Sequence, residues 1–134
     1  MQDERIALLG QNAEDIPAIS ALLQDATLRV EDIGFDRRSR RLALLVNRYR
    51  WEAAIPSRVR CALRLETVAA VQRQHWPREA DAVLNLLSVT SEDGWLVLTF
   101  AAGAALRAQV EVVEIVVEDL AAPWETQRVP RHPQ

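Results

Sequence analysis

Residues 57–67 alternate between apolar and charged side chains, and this segment constrains the fold more than any other. Its sequence is SRVRCALRLET. Arginine and glutamate fill most of one set of alternate positions, and the other set is apolar: Val59, Cys61, Leu63 and Leu65. Because successive side chains of a strand point to opposite faces of a sheet, the pattern predicts a half-buried β-strand. Cys61 lies on its buried side, as a small inert hydrophobe.

The preceding segment, residues 36–52, reads DRRSRRLALLVNRYRWE and predicts a charged turn followed by a second strand. We place the turn at residues 36–40 and the strand at 41–51. The first half of this strand is apolar on both faces, which is typical of a central strand. We therefore expect the N-terminal helix on one side of it and the core on the other.

The remaining chain divides into one helix and several strands. Residues 15–25 repeat isoleucine and leucine at helical spacing behind Asp15, which predicts an amphipathic helix with Asp15 as its N-cap. Residues 72–79, QRQHWPRE, are polar and contain a proline, so we interpret them as an irregular connection. Alternation and β-branched side chains predict further strands at residues 6–9, 27–35, 82–90, 95–100 and from 105 to about 113.

Residues 113–120 fit two structures. Their valines and isoleucine favour a strand that continues past a bulge. Glu111, Glu114 and Glu118 also fall on one face of a helix. The pattern leaves strand and helical turn open.

Together these elements predict one α+β domain, in which the N-terminal helix packs on a curved, mostly antiparallel sheet of about six strands. A meander is the simplest topology, and a partly closed barrel like that of pleckstrin-homology domains is the alternative.

The chain length suits a single domain. We place it at residues 1–122, followed by an extended proline-rich tail at 123–134. The longest charge-free run, residues 94–106, contains two glycines, so we expect no membrane-spanning helix.

The charges are divided between two parts of the chain. All sixteen basic residues are arginine. Residues 29–64 hold ten arginines and four acids, whereas residues 79–125 hold nine acids and only Arg107. We expect these segments to pair in the fold, because opposite charges on neighbouring strands are stabilising.

The chain has one cysteine and no apolar segment at its N-terminus, which favours a cytoplasmic protein without a disulfide or a secretory signal.

Motifs for catalysis or cofactor binding are missing from the sequence. It has no glycine-rich phosphate loop, no dinucleotide-binding motif and no GxSxG nucleophile motif. The two histidines, His75 and His132, and the single Cys61 lack metal-ligand spacing. We therefore predict no cofactor, no metal site and no catalytic residue. An enzyme whose site is assembled from distant residues is the third functional alternative.

The candidate interaction surface consists of arginine and aromatic side chains, since arginine and tryptophan are enriched at interface hot spots. If the arginine faces of the two strands coincide, they form one basic patch that would bind phosphates, with Tyr49 and Trp51 as stacking surfaces for bases. A pI of about 5.4 argues against nucleic acid. The surface comprises Arg48, Arg50, Arg58, Arg60, Arg64, Tyr49, Trp51, Trp95 and Trp124.

Three segments carry a family resemblance most strongly: QDA at residues 24–26, NRYRWE at 47–52 and DLAAPW at 119–124. With the rest of the chain, from about residue 6 to His132, they resemble a bacterial family called domain of unknown function 2948. The family is typical of alphaproteobacteria. The resemblance also implies a cytoplasmic location. It implies no activity, substrate or catalytic residue.

These observations favour a small bacterial protein that acts through protein–protein contacts rather than by catalysis. Residues 95–100, WLVLTF, would form an apolar edge strand, and such an edge invites pairing with a second copy. The expected partner is a second copy or another protein. RNA or DNA is the second alternative, and we expect no membrane partner.

Overall fold

The computed structural model describes residues 5–130, in which one antiparallel sheet folds around a hydrophobic core. The α-helix, α1, covers Ile16–Leu23. In chain order the strands are β1 (Ala7–Gly10), β2 (Thr27–Arg29), β3 (Ile33–Asp36), β4 (Arg41–Tyr49), β5 (Ser57–Leu65), β6 (Val68–Gln74), β7 (Val83–Glu92), β8 (Trp95–Phe100), β9 (Ala105–Val110), β10 (Ile115–Asp119) and β11 (Trp124–Glu125). Within the described range, no helix is long and apolar enough to cross a membrane.

The sheet has more strands than the sequence predicts, and their order is less simple. Its eleven strands run β1–β10–β5–β4–β2–β7–β8–β9–β6, with β11 beside β5 and β3 beside β4. The predicted antiparallel sheet is confirmed, and the prediction of about six strands is wrong. Two runs of consecutive strands, β3–β4–β5 and β7–β8–β9, are simple meanders, but the described sheet as a whole is not, because β10 returns to lie between β1 and β5. The end strands β1 and β6 do not pair with each other, so the described sheet is not a closed barrel.

The central strands β4 and β5 supply much of the core. Their register pairs Leu44 with Leu63 and Val46 with Cys61, and all four side chains are fully buried. Burying an aliphatic side chain of this size contributes about 1.5–3 kcal/mol. The alternation in the sequence therefore predicts the inward face of β5 correctly, whereas the first half of β4, which is apolar on both faces in the sequence, was expected to be covered on both sides.

Helix α1 packs on the core side of the sheet. Its Ile16, Ile19 and Leu23 belong to the same hydrophobic cluster as the inward residues of β4 and β5. At Gly10, close to the helix, an added Cβ would lie 2.6 Å from Ile19 Cδ1, so a larger residue would push the helix away. The expectation that the helix and the core cover opposite sides of β4 is wrong, and the outer face of β4 is left without a helix.

Asp15 occupies the predicted N-cap position of α1, but its side chain does not cap the helix. Asp15 precedes the helix, but its Oδ2 accepts from the Gln11 amide at 2.9 Å instead of from a helix amide. Asn12 provides a cap one turn earlier, because its Oδ1 accepts from two backbone amides of the 3₁₀ turn at Ala13–Asp15. The helix itself, at Ile16–Leu23, is shorter than the predicted 15–25.

Three strand predictions are corrected. The strand predicted at residues 27–35 is two strands, β2 and β3, separated by a 3₁₀ turn at Val30–Asp32. Residues 72–74, predicted to be irregular, belong to β6, an end strand whose polar residues are exposed. The WLVLTF segment, β8, lies between β7 and β9 and is not the expected edge strand.

Residues 113–120, for which the sequence fits both strand and helix, contain the strand β10. Ile115 and Val117 are fully buried on its inward face, and β-branched side chains pack well there. Glu111 and Glu114 lie in the break between β9 and β10, so their helical spacing has no structural counterpart.

Candidate functional site

Three charged residues, Arg48, Glu52 and Asp119, form an ion-pair group that we call the Arg48 cluster. The Arg48 side chain is fully buried. Its Nε and Nη2 donate to Asp119 Oδ1 and Oδ2 at 3.2 and 2.8 Å. Its Nη1 and Nη2 donate to Glu52 Oε1 and Oε2 at 2.8 and 3.1 Å. Two forked contacts satisfy the guanidinium, so the cluster ties β4 to β10 across β5.

The pKa values of the cluster follow from these contacts. Burial alone would lower the pKa of Arg48, but hydrogen bonds and charges from Glu52 and Asp119 outweigh it and raise that pKa above its ordinary value. Burial would raise the pKa of Glu52, yet the hydrogen bond from Arg48 holds it below its ordinary value. Arg48 and Glu52 are therefore a charged pair at neutral pH.

Arg50 extends this buried polar region towards the start of β5. It is only 8% exposed, and its Nη1 donates to Ser57 Oγ at 3.0 Å. Its Nε lies 3.8 Å from a carboxylate oxygen of Glu52. Arg48 and Arg50, which were predicted to face a partner, are thus engaged inside the fold.

Arg58, Arg60 and Arg64 lie on the outer face of β5, opposite to the Arg48 cluster. The five predicted arginines therefore do not form one patch. Arg58 Nη1 donates to the Asp25 and Asn47 carbonyls at 3.1 and 3.0 Å. Arg60 Nη1 donates to Asn47 Oδ1 at 3.2 Å. These two arginines hold neighbouring strands and loops together.

Tyr49 and Trp51 form an edge-to-face pair with ring centroids 4.6 Å apart. Tyr49 is buried, whereas Trp51 is 40% exposed. The Trp51 Nε1 donates to the Gln24 carbonyl at 2.9 Å, which fixes the indole against the end of α1. Of the two predicted stacking surfaces, only Trp51 presents part of its ring to solvent.

The three segments that carry the strongest family resemblance meet at this place. Trp51 binds the Gln24 carbonyl, and Arg48 binds Asp119, so residues 47–52 contact both other segments. Sequence reasoning missed Glu52 and Asp119 as partners of the buried arginine. The sequence contains one signal that Asp119 is buried: it continues the inward alternation of Ile115 and Val117 in β10.

The other two predicted aromatic residues lie apart from each other. Trp95 is on β8, which is separated from β5 by β4, β2 and β7, and Arg107 Cζ lies 4.1 Å from its ring centroid. Trp124 is on β11 and pairs with Arg58 of β5, while 45% of it is exposed. Sheet pairing thus continues past the domain end predicted at residue 122.

A mainly apolar area lies on part of the outer face of the adjacent strands β1, β10, β5 and β4, beside the end that carries Arg58 and Arg60. Register places Leu9 beside Val116 and Val116 beside Arg64, and in the next row Glu118 beside Ala62 and Ala62 beside Leu45. Leu9 and Leu45 are 52% and 37% exposed. We call this area the outer patch, and define it by Leu9, Leu45, Ala62, Arg64, Val116 and Glu118.

The two charges of the outer patch have opposite signs. The Arg64 Nε is shielded from solvent and has no hydrogen-bond partner. Across residues 5–130, no ion pair involves Arg64 or Glu118. The outer patch therefore combines exposed aliphatic side chains with one unpaired cation and one unpaired anion.

The groups considered for metal binding or nucleophilic chemistry are not assembled into a site. No group of three or more His, Cys, Asp or Glu among the described residues could hold a metal ion. The Cys61 thiol is buried, and burial is the main cause that raises its pKa to about 12. It is therefore protonated and unreactive at neutral pH. His75 is exposed, and His132 lies outside the described residues.

Comparison with known proteins gives one family and no individual relative. No curated protein and no solved structure matches the chain. The family model described as Protein of unknown function (DUF2948) matches residues 6–132, a range that includes the Arg48 cluster and all of the outer patch. The match covers nearly the whole chain, and the protein therefore belongs to the DUF2948 family.

Proposed function

We propose that this protein is a cytoplasmic, non-catalytic assembly module that forms a homodimer through its outer patch. The observation that carries the proposal is the pair of unpaired opposite charges, Arg64 and Glu118, in an outer patch whose other four side chains are aliphatic. When a second surface removes exposed aliphatic side chains on adjacent strands from water, the free energy falls. The face of one sheet can pack in this way against the face of another.

A second copy is the partner that these charges fit best. In a two-fold symmetric dimer the same patch is used by both chains, so each cation can meet the anion of the other copy. Val116 pairs with Arg64 and Glu118 with Ala62, which makes Arg64 and Glu118 diagonal neighbours on adjacent strands. A two-fold axis that lies in the interface and crosses this diagonal at right angles places each Arg64 opposite the Glu118 of the other copy. The outer patch is thus self-complementary in sign.

The nucleic-acid alternative has less support. Phosphate binding requires several free cations on one side of the fold. Arg48 and Arg50 are buried, and Arg58 and Arg60 donate to groups of the chain itself. Among the described residues, Arg64 is the one predicted arginine of the five whose Nε is shielded from solvent without a hydrogen-bond partner.

Sedimentation equilibrium of the full chain tests the proposal. The chain mass is 15.1 kDa, and we expect a dimer of twice that mass that dissociates on dilution. Leu45→Glu should give a folded monomer, because this side chain is already 37% exposed and its replacement leaves the core intact. Leu87→Glu is the matched control, since Leu87 on β7 has the same exposed fraction but lies outside the outer patch. It should remain dimeric.

Exchange of the two charges tests the symmetric arrangement. Arg64→Glu and Glu118→Arg should each weaken the dimer, because like charges then face each other across the axis. The double variant Arg64→Glu/Glu118→Arg restores opposite signs and should recover much of the affinity. A wild-type chain that stays monomeric at high concentration rejects the homodimer. A dimer that Leu45→Glu leaves intact rejects this surface.

A further inference from the structure

A cleft opens between β3 and β6, two strands that do not pair with each other in the described sheet. Within the described chain β3 pairs with β4 and β6 with β9, so one edge of each strand borders the cleft. The cleft contains a cavity of about 280 Å³ that we call the Trp76 cavity. A neighbouring cavity of about 560 Å³ shares Phe35 and Val71 with it.

The Trp76 cavity has apolar walls that are only partly covered. Leu42 and Leu106 are buried residues that line it and belong to the core. Five more apolar side chains pack against the core around it and are partly exposed: Val30, Ile33, Phe35, Val71 and Trp76. A concave site lined in this way stabilises an apolar group that fills it. The walls therefore select a ligand with an apolar body.

The polar groups of the Trp76 cavity are hydrogen-bond donors. Arg73 is exposed, and its Cζ lies 5.8 Å from the Trp76 ring centroid. No acid among residues 5–130 forms an ion pair with Arg73. The Trp76 Nε1 is shielded from solvent and has no hydrogen-bond partner. No carboxylate lines the cavity, so its polar side favours an anion.

We propose that the Trp76 cavity binds a small amphipathic carboxylate, of the class of medium-chain fatty acids. The carboxylate pairs with the Arg73 guanidinium, and the alkyl chain lies against Leu42 and Leu106. A cavity of 280 Å³ is close to the lower end of the roughly 300–1,000 Å³ range of small-molecule sites, so the ligand is short. This site lies outside the outer patch, and the proposal does not depend on dimerisation.

Titration of the ¹⁵N-labelled full chain with decanoate, below its micelle concentration, tests the proposal. Four tryptophans give four indole N–H signals, and Trp76→Phe identifies the signal of Trp76. We expect that signal to shift saturably, while the signals of Trp51 and Trp124 stay in place. Decanol has the same chain without the charge and should bind more weakly.

Two arginine variants separate the charged contact from general basicity. Arg73→Gln should weaken decanoate binding roughly tenfold, because a charge-assisted hydrogen bond is lost, and should leave decanol binding unchanged. Arg78→Gln is the matched control, since Arg78 is an exposed arginine in the segment that follows β6 but does not line the cavity. It should bind decanoate like the wild-type chain.

Several results would overturn the proposal. One is the absence of a saturable shift of the Trp76 signal. Another is an equal shift of all four indole signals, which indicates unspecific adsorption. Wild-type affinity in Arg73→Gln, or equal losses in both arginine variants, removes the carboxylate contact. An acidic peptide that shifts the Trp76 signal when decanoate does not would assign the cleft to a protein partner instead.

Discussion

Arg48 and Arg64 lie on adjacent strands, yet the two faces of the sheet give them opposite surroundings. Arg48 on the inner face is fully buried and contacts two carboxylates. Arg64 on the outer face is half-buried, and its Nε has no partner. Arginine content alone therefore does not identify a binding surface in this protein. For Arg48 and Arg64, the position in the strand alternation places one guanidinium among buried carboxylates and the other on the outer face.

The largest expected effect comes from breaking the inner pair. Arg48→Met should lower the free energy of unfolding by about 3–5 kcal/mol, because it leaves the Asp119 carboxylate buried without its cation. Urea denaturation, followed by far-UV circular dichroism, measures the change. The double variant Arg48→Met/Asp119→Leu removes both charges and should lose less than the sum of the single losses. A loss below about 1 kcal/mol for Arg48→Met would contradict a structural role for the cluster.

A smaller effect is expected from an outer arginine that is engaged with the backbone. Arg58→Met should cost about 1–2 kcal/mol, because the Asp25 and Asn47 carbonyls lose a charged donor. Arg60→Met is the comparison on the same face. It gives up one bond to Asn47 Oδ1 and a 3.8 Å contact with Asp32, so we expect a loss of about 0–1 kcal/mol. If urea denaturation gave the same loss of stability for Arg58→Met and Arg60→Met, the bonds to the two backbone carbonyls would not determine the cost.

The inner and outer faces of β5 could be predicted from the sequence because alternation is a local property. Leu42, Leu44 and Val46 share the inward face with Arg48, as the pattern indicates. Asp119 ends a run of alternating inward residues in β10. Two opposite charges at inward positions were therefore visible as a signal. Their pairing was not, because it depends on β10 returning beside β5 from a distant part of the chain.

The remaining errors have related physical causes. Strand β6 was missed because an exposed end strand carries polar side chains and lacks apolar alternation. Strand β8 was mistaken for an edge because its apolar sequence describes its burial and not its neighbours. The outer patch and the Trp76 cavity combine residues from several separate strands. Their composition follows from strand order, which a single sequence does not specify.

Glu52 connects the inner cluster to solvent, because its side chain is 36% exposed. Its pKa is lower in the folded chain than the ordinary value of 4.5. The stability that this group contributes is therefore present above pH 4.5 and is lost as the pH falls through the lower, folded pKa. Glu52→Gln should cost under about 1 kcal/mol at neutral pH, since solvent screens the contact. Urea denaturation between pH 6 and 3 should show a shallower loss for the variant, and parallel curves would contradict the linkage.

The smallest expected effect on stability is at Arg64, the outer counterpart of Arg48. Arg64→Gln should change the free energy of unfolding by no more than about 0.5 kcal/mol, because this arginine has no ion pair to lose within the described chain. The measurement requires dilution below the dimer dissociation range, since dimerisation would add its own stabilisation. The same variant should weaken self-association in sedimentation equilibrium, because Glu118 of the other copy loses its cation. Unchanged stability with weaker association would distinguish the two faces fully. A large loss of stability in the monomer would instead place Arg64 with Arg48, as a residue that the fold requires.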